Sequence, residues 1–169
     1  MSYSNSIIFG PIPSRRFGIS LGIDLSPSKK QCNFDCLYCE LEGAKTVEKM
    51  DEFPSVEDII KEIQNSFSNH PKIDVLTLTC NGEPTLYPKL NELIDEINKI
   101  KGNTKTLILS NGSTIYKEDI FNTLLKIDIV KLSLDCVSEK CFKKLDRVNN
   151  SVETQKIVPA MVDFSKQTI

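Results

Sequence analysis

Residues 75–84 read VLTLTCNGEP, an apolar and β-branched run that ends in a polar turn. Such a run predicts a buried strand from Val75 to Thr79. Because side chains alternate along a strand, its leucines face one side and its threonines face the other. The polar turn follows the carboxyl end of this strand. The sequence therefore predicts chemistry at that edge of the fold.

The same order, a strand and then a helix, repeats on both sides of this stretch. Predicted strands cover Ser20–Leu25, Val75–Thr79, Thr106–Leu109 and Ile129–Leu134; predicted helices begin at Ser55, include Leu90–Ile97 and Phe121–Leu125, and cover Val152–Lys166 with a break or kink near Pro159. This alternation predicts parallel strands joined by right-handed helical crossovers. Both an open doubly wound sheet and a (β/α) barrel fit, and both place functional groups at the carboxyl ends of the strands.

Polar motifs follow all four predicted strands. A cysteine loop follows the first strand, CNGEPT (80–85) the second and SNGS (110–113) the third, while Ser133 and Asp135 close the fourth. An ordinary closed barrel fills its interior with branched apolar side chains. Polar groups at every strand end therefore predict a cavity that holds a polar ligand.

Composition limits the classes of protein that remain. The chain has 169 residues, a net charge of −2 and a pI of about 5.5, values that fit one domain and argue against a dedicated nucleic-acid binder. No apolar run is long enough to span a membrane, and the first residues lack the order of a secretory signal. We therefore expect a cytoplasmic protein with reduced thiols.

Three of the six cysteines fall in CNFDCLYC (32–39), with the spacing Cys-x3-Cys-x2-Cys. Three thiolates in one loop can bind three corners of an iron–sulfur cubane and leave the fourth iron open. The alternative is a structural zinc site, which needs four protein ligands, so His70 or another cysteine would have to join Cys32, Cys36 and Cys39. We expect the scattered Cys80, Cys136 and Cys141 to be structural thiols.

CNFDCLYC resembles the cluster motif of the radical S-adenosylmethionine (SAM) superfamily, including the aromatic Tyr38 before the last cysteine. The resemblance implies a [4Fe–4S] cluster held by Cys32, Cys36 and Cys39, and SAM bound at the open iron. It also implies reductive cleavage of SAM to a 5′-deoxyadenosyl radical that acts on a substrate. A reduced flavodoxin- or ferredoxin-type protein would donate the electron.

The same resemblance implies roles for residues after the other strands. The turn NGEP (81–84) is similar to the GGEP-type motif that contacts the methionine amino group, although Asn81 replaces its first glycine; the members are Asn81, Gly82, Glu83 and Pro84. By the same resemblance, Ser110 and Asn111 would make polar contacts with the cofactor. Ser133 and Asp135 would reach its ribose or carboxylate, and Tyr38 would lie near its adenine. From the residues alone, Ser110 and Asn111 equally suit a turn, and Ser133 with Asp135 a structural hydrogen-bond pair.

A narrower resemblance runs through PSRRFGISLGIDL (13–25) and NGEPTLYP (81–88), which are similar to the wyosine-synthetase-like Fe–S oxidoreductases, a group whose substrates are mostly unassigned. A modified tRNA base or a peptide is the substrate class under consideration. Arg15 and Arg16 could bind an anionic substrate, or could form an ordinary solvated pair. A tRNA substrate predicts that these arginines and Lys29 and Lys30 form a basic surface next to the cavity.

The resemblance implies a six-unit partial barrel, of which this sequence supplies about four units. We therefore expect residues 1–169 to form a single, incomplete radical SAM core domain, an α/β partial barrel of parallel strands. The last residues, Gln167 to Ile169, are predicted to open a further strand. Two alternatives remain for function: a cluster-binding or electron-transfer module that does not cleave SAM, and an inactive or zinc-stabilised fragment.

Overall fold

A computed structural model describes residues 6–70 and 72–168 of the chain. Five strands form one sheet in the order β1-β2-β3-β4-β5. They are β1 (Ile8–Ser14), β2 (Gly18–Asp24), β3 (Val75–Thr79), β4 (Lys105–Ser110) and β5 (Ile129–Leu132). Strands β2 to β5 are parallel, whereas β1 pairs with β2 in the antiparallel direction. The predicted α/β fold with four parallel strands is confirmed.

The edge strand β1 is absent from the sequence-based prediction. Its sequence, IFGPIPS, contains two prolines, which cannot donate to a hydrogen-bond ladder and are tolerated at a sheet edge. Its pairing with β2 is interrupted between Phe9 and Ile12. The ring of Phe9 covers Gly22 so closely that a Cβ at Gly22 would meet the ring at 2.1 Å. This contact between distant residues is invisible in a local pattern.

The helices cover the leucine face of the sheet. They are α1 (Val56–Asn69), α2 (Leu90–Ile100), α3 (Glu118–Leu124), α4 (Glu139–Cys141) and α5 (Thr154–Gln167), with a 3-10 turn at Pro84–Leu86 and a π-helical turn at Phe142–Asp146. The predicted start of α1 is confirmed, because the Ser55 hydroxyl accepts a hydrogen bond from the Asp58 N–H at 3.1 Å. Leu76 and Leu78 are fully buried beneath these helices.

The predicted last helix is present, but the predicted alternative of a break at Pro159 is wrong. The helix runs through Pro159 without a break, and Gln167 is its final residue. The ring of Phe164, beyond Pro159, packs edge-to-face on Phe121 of α3 at 5.3 Å between ring centroids. The predicted strand opening is therefore wrong for Gln167, and Ile169 lies outside the described residues.

The opposite face of the sheet is partly polar, as the alternation in β3 predicts. Thr77 and Thr79 are half-buried, and the Thr77 hydroxyl lies 2.8 Å from that of Ser20 on β2. Among the described residues, no helix is long and apolar enough to cross a membrane.

Candidate metal and cofactor site

The three clustered cysteines lie in the loop after β2, at the carboxyl edge of the parallel strands. Their thiols are free; Cys32 and Cys36 are half-buried, and Cys39 is exposed. Backbone hydrogen bonds join this loop to the turn after β3, since the Gln31 N–H donates to the Asn81 carbonyl at 2.7 Å and the Glu83 N–H donates to the Gln31 carbonyl at 3.0 Å. The cysteine loop and the NGEP turn are therefore one unit.

The segment after β5 holds the other side of the cysteine loop. The Asp35 N–H donates to the Asp146 carbonyl at 3.0 Å, and the Leu37 N–H donates to the Leu145 carbonyl at 2.9 Å. The Asn149 N–H donates to the carbonyl of Asn33, next to Cys32, at 2.8 Å. The loop thus lies between two neighbours that come from distant parts of the sequence.

The environment of the thiols fits an iron–sulfur cluster. Burial, together with the nearby Glu83 carboxylate, raises the pKa of Cys32 to about 12, and burial raises the pKa of Cys36 to about 11. These sites disfavour a thiolate unless positive charge accompanies it, which the irons of a cluster would supply. Two N–H groups also point at the Cys32 sulfur, from Phe34 at 3.4 Å and from the Asn111 side chain at 3.7 Å. Such donors are typical around cluster-binding thiolates.

His70 does not lie where it could be the fourth ligand of a structural zinc site. That residue follows the last turn of α1 and precedes β3, at the opposite edge of the sheet from the cysteine loop. Among the described residues, no group of three histidine, cysteine or carboxylate side chains lies close enough to hold a single metal ion. This finding includes the three thiols of the cysteine loop, which therefore do not surround a single ion.

Glu83 joins the ends of β3 and β4. Its side chain is 1% exposed, and its Oε1 accepts from the Thr85 N–H at 3.0 Å, from the Thr85 hydroxyl at 2.7 Å and from the Ser110 hydroxyl at 2.7 Å. Its Oε2 accepts from the Asn111 N–H at 2.7 Å. Burial raises the pKa of Glu83, and these hydrogen bonds partly oppose the rise. Because Oε2 has a single donor, this oxygen can accept one more.

Asn81 and Pro84, the other side chains of the NGEP turn, shape the backbone. The Asn81 amide donates to the Ser26 carbonyl at 3.1 Å, and its N–H donates to Asp24 Oδ1 at 3.2 Å. Pro84 opens the 3-10 turn that Glu83 caps. Asn81 therefore holds the turn against the loop after β2, and Pro84 starts the short helical turn that follows.

Tyr38 lies between two carboxylates at this edge. Its hydroxyl oxygen is 2.7 Å from Asp135 Oδ2 and 3.0 Å from Asp146 Oδ1. Burial is the main cause that raises the pKa of Tyr38, and its hydrogen bonds with the neighbouring carboxylates raise it further. Burial also raises the pKa of Asp146. Asp135 is exposed, whereas Asp146 is 2% exposed. Sequence reasoning missed Asp146, since nothing local indicates that the π-helical turn folds back onto the cysteine loop.

The remaining predicted residues divide between the two edges of the sheet. Ser133 is exposed at the carboxyl edge, where its N–H donates to the Ser110 carbonyl at 2.9 Å. Arg15 and Arg16 lie in the turn between β1 and β2, at the amino edge of the parallel strands. The 7 residues of β2 separate these arginines from the cysteine loop by about 20 Å. Arg16 instead lines a cavity of about 470 Å³ with Asp74 and Lys105.

The basic surface predicted for a tRNA substrate does not form from the four expected residues. The two arginines are at the wrong edge, because the turn that carries them precedes β2 rather than following it. Lys29 pairs with Asp51 at 2.7 Å, and Lys30 pairs with Asp35 at 3.4 Å. A role for Arg15 and Arg16 in binding an anionic substrate stays a prediction.

Cys136 and Cys141 form a disulfide, with 5.4 Å between their Cα atoms. The expectation of two reduced structural thiols is wrong for this pair, because the turn after β5 brings them together. Cys136 is buried with Phe34 and Phe142, and Cys32 and Cys36 pack against the same cluster. Cys80 is a free thiol that packs against the main core, as predicted.

The fold and the cysteine loop now have known counterparts. The family described as the Radical SAM superfamily matches residues 27–166, and the chain belongs to this superfamily. It is 52% identical over 161 residues to a UPF0026 protein of Helicobacter pylori strain J99, a match that covers 95% of this chain and 52% of that protein. It is 37% identical over 163 residues to a UPF0026 protein of Methanocaldococcus jannaschii, covering 94% of this chain and 50% of that protein.

A solved structure of TYW1 with a lysine-pyruvate adduct bound shares the fold, with a TM-score of 0.56 at 19% identity. The match covers 86% of this chain and 50% of the TYW1 chain. The chain thus spans about half the length of the curated relatives that it matches.

Proposed function

We propose that this chain is part of a radical SAM enzyme, with Cys32, Cys36 and Cys39 as ligands of a [4Fe–4S] cluster and SAM as the cosubstrate. One observation carries the proposal: the cysteine loop is hydrogen-bonded, backbone to backbone, to the turn that bears Glu83. Three thiols and a carboxylate with a spare acceptor site are therefore held at one edge of the sheet.

When bound, the cluster supplies the single electron that cleaves the sulfonium of SAM. In this proposal, the three thiolates hold the cluster, and Glu83 Oε2 accepts a hydrogen bond from the methionine ammonium. Asp135 offers an exposed carboxylate to the ribose hydroxyls, and Tyr38 orients that carboxylate through its 2.7 Å hydrogen bond. Ser110 and Asn111 hold the Glu83 carboxylate in place.

The electron donor is proposed to be a reduced flavodoxin- or ferredoxin-type protein. It would approach beside Cys39, which is the exposed member of the three ligands. Leu37 and Tyr38 next to it are also exposed, at 58% and 54%. The substrate, a modified tRNA base or a peptide in this proposal, would meet the partly polar face of the sheet near Thr77 and Thr79.

A second candidate is a cluster-binding module that transfers electrons without cleaving SAM. It is favoured by the burial of Glu83, whose carboxylate already accepts four hydrogen bonds. A carboxylate in this position acts as a structural tie between β3 and β4 and need not contact a cosubstrate.

Electron paramagnetic resonance (EPR) separates the two candidates. The chain is reconstituted anaerobically with iron and sulfide, reduced with dithionite and measured with and without SAM. The main proposal expects a cubane signal that shifts on addition of SAM, is lost in Cys36→Ala and persists in Cys80→Ala, together with release of 5′-deoxyadenosine. A signal indifferent to SAM supports the second candidate. Retained zinc without any cluster contradicts both.

A further inference from the structure

The side chain of Asn111 points its amide nitrogen at the Cys32 sulfur, with 3.7 Å between Nδ2 and Sγ. Its orientation is fixed from the other end, because its Oδ1 accepts the Ser113 N–H at 2.9 Å. A flipped amide would place a carbonyl oxygen against the sulfur and an NH₂ group against an N–H donor. The backbone N–H of Asn111 is also held, by Glu83 Oε2 at 2.7 Å.

Two buried side chains brace this amide. Asn111 Nδ2 also donates to Asn33 Oδ1 at 3.2 Å, and Asn33 Nδ2 donates to the Ser113 hydroxyl at 2.7 Å. Asn33 is 2% exposed and Ser113 is fully buried. The network joins the cysteine loop to the SNGS turn and leaves the Asn111 amide little freedom to turn away from the sulfur.

We propose that Asn111 is a positioning residue for the cluster, whose side-chain N–H donates to the Cys32 thiolate and raises the reduction potential of the cluster. This inference rests on the proposed cluster function. A donor at a ligating sulfur withdraws negative charge from it and so stabilises the cluster after it has gained an electron. The other N–H at this sulfur belongs to the Phe34 backbone, so Asn111 is the side chain through which the Cys32 sulfur is tuned.

The electron balance of the measured step is simple. Dithionite supplies one electron, the cluster changes from [4Fe–4S]²⁺ to [4Fe–4S]⁺, and no bond of the protein forms or breaks. The N–H···S hydrogen bond is present in both states and is stronger in the reduced one, because the sulfur then carries more negative charge. Its removal must therefore lower the potential.

An EPR-monitored redox titration without SAM tests the inference. We expect Asn111→Ala to shift the equilibrium about tenfold toward the oxidised cluster, which corresponds to a potential about 59 mV lower for a one-electron couple. Asn111→Asp keeps the shape of the side chain, removes the N–H donor and adds a negative charge, so the reduction potential of the cluster falls at least as far. Ser151→Ala is the control: it removes an exposed hydroxyl that donates to Asn149 Oδ1 at 2.8 Å, outside this network, and the reduction potential of the cluster stays at the wild-type value.

The outcomes separate this inference from the function beneath it. A wild-type chain that takes up no cluster contradicts the proposed function and this inference together. A wild-type cluster whose potential is unchanged in Asn111→Ala, at equal iron content, overturns the inference alone. Loss of the cluster from both Asn111 variants in a folded chain marks a merely structural residue and also overturns it.

Discussion

The Cα of Gly82 lies against the backbone carbonyl of Gln31, and a Cβ at Gly82 would stand 1.9 Å from that oxygen. Gly82 also has a φ of 141°, a conformation that favours glycine. The close approach exists because the N–H groups of Gln31 and Glu83 each bond across the junction between the loop and the turn. Here the packing of two backbones requires a residue without a side chain.

Replacing Gly82 with alanine should therefore separate the NGEP turn from the cysteine loop. We expect the free energy of unfolding to fall by about 2 to 3 kcal/mol from backbone strain and the clash. The iron content after reconstitution should also fall. Urea denaturation and an iron assay measure the two effects. Gly43→Ala is the control, since its nearest atom would be Asp35 Oδ1 at 3.7 Å; equal stability of both variants would contradict the prediction.

Tyr38→Phe removes the hydroxyl that lies between Asp135 and Asp146. We expect a loss of about 1 kcal/mol in the free energy of unfolding, because the hydroxyl that donates to Asp135 and separates this carboxylate from the buried Asp146 is removed. Tyr116→Phe is the matched control, because the Tyr116 hydroxyl accepts an exposed Glu153 N–H at 3.2 Å. Identical unfolding curves for wild type and Tyr38→Phe would mean that water replaces this hydrogen bond.

Asp128 gives the protein a pH-dependent contribution to stability. Burial raises its pKa, but hydrogen bonds from Lys101 and Thr106 outweigh burial, and the folded-state pKa lies below the ordinary value of 3.8. A carboxylate with a lowered pKa contributes stability above its unfolded-state pKa and loses it as the pH falls through the folded-state pKa. The stabilisation by Asp128 is thus present at neutral pH and disappears in acid.

The variant Asp128→Asn should lower the free energy of unfolding by about 1 kcal/mol at neutral pH. The figure is modest because the Asp128 side chain is 37% exposed, so that water screens its pair with Lys101. The difference in the free energy of unfolding between this variant and the wild type should shrink as the pH falls below 3.8. Urea denaturation across acidic pH measures the difference. Asp163→Asn, at an exposed pair with Lys166, is the control. A difference that stays constant down to the lowest pH would refute the assigned cause.

The disulfide predicts a simple thiol count. In denaturant without reductant, 4 thiols, those of Cys32, Cys36, Cys39 and Cys80, should react with a thiol reagent. After reduction, all 6 cysteines should react. Cys141→Ala would free the thiol of Cys136 and raise by one the number of thiols that react without reductant. Six reactive thiols in the untreated chain would show that Cys136 and Cys141 are reduced.

Local patterns made the regular elements predictable. Alternation in VLTLT and helical spacing in α1 and α2 depend on neighbours in the sequence, and both patterns match the structure. The edge strand β1 escaped prediction because its two prolines disguise it and its partner lies in β2. The cysteines of the disulfide escaped because only the turn after β5 brings Cys136 and Cys141 into register.

The sequence by itself determined the order of the parallel strands and of the helices between them, and the edge at which the polar motifs gather, because side-chain periodicity and the position of a motif after a strand are local properties. The tertiary structure decided which groups touch. It set Asp146 against Tyr38, Asn111 against Cys32, and Arg15 and Arg16 at the opposite edge from the cysteines. Those relationships depend on how separate loops pack and hydrogen-bond to one another, and no pattern along one segment contains that information.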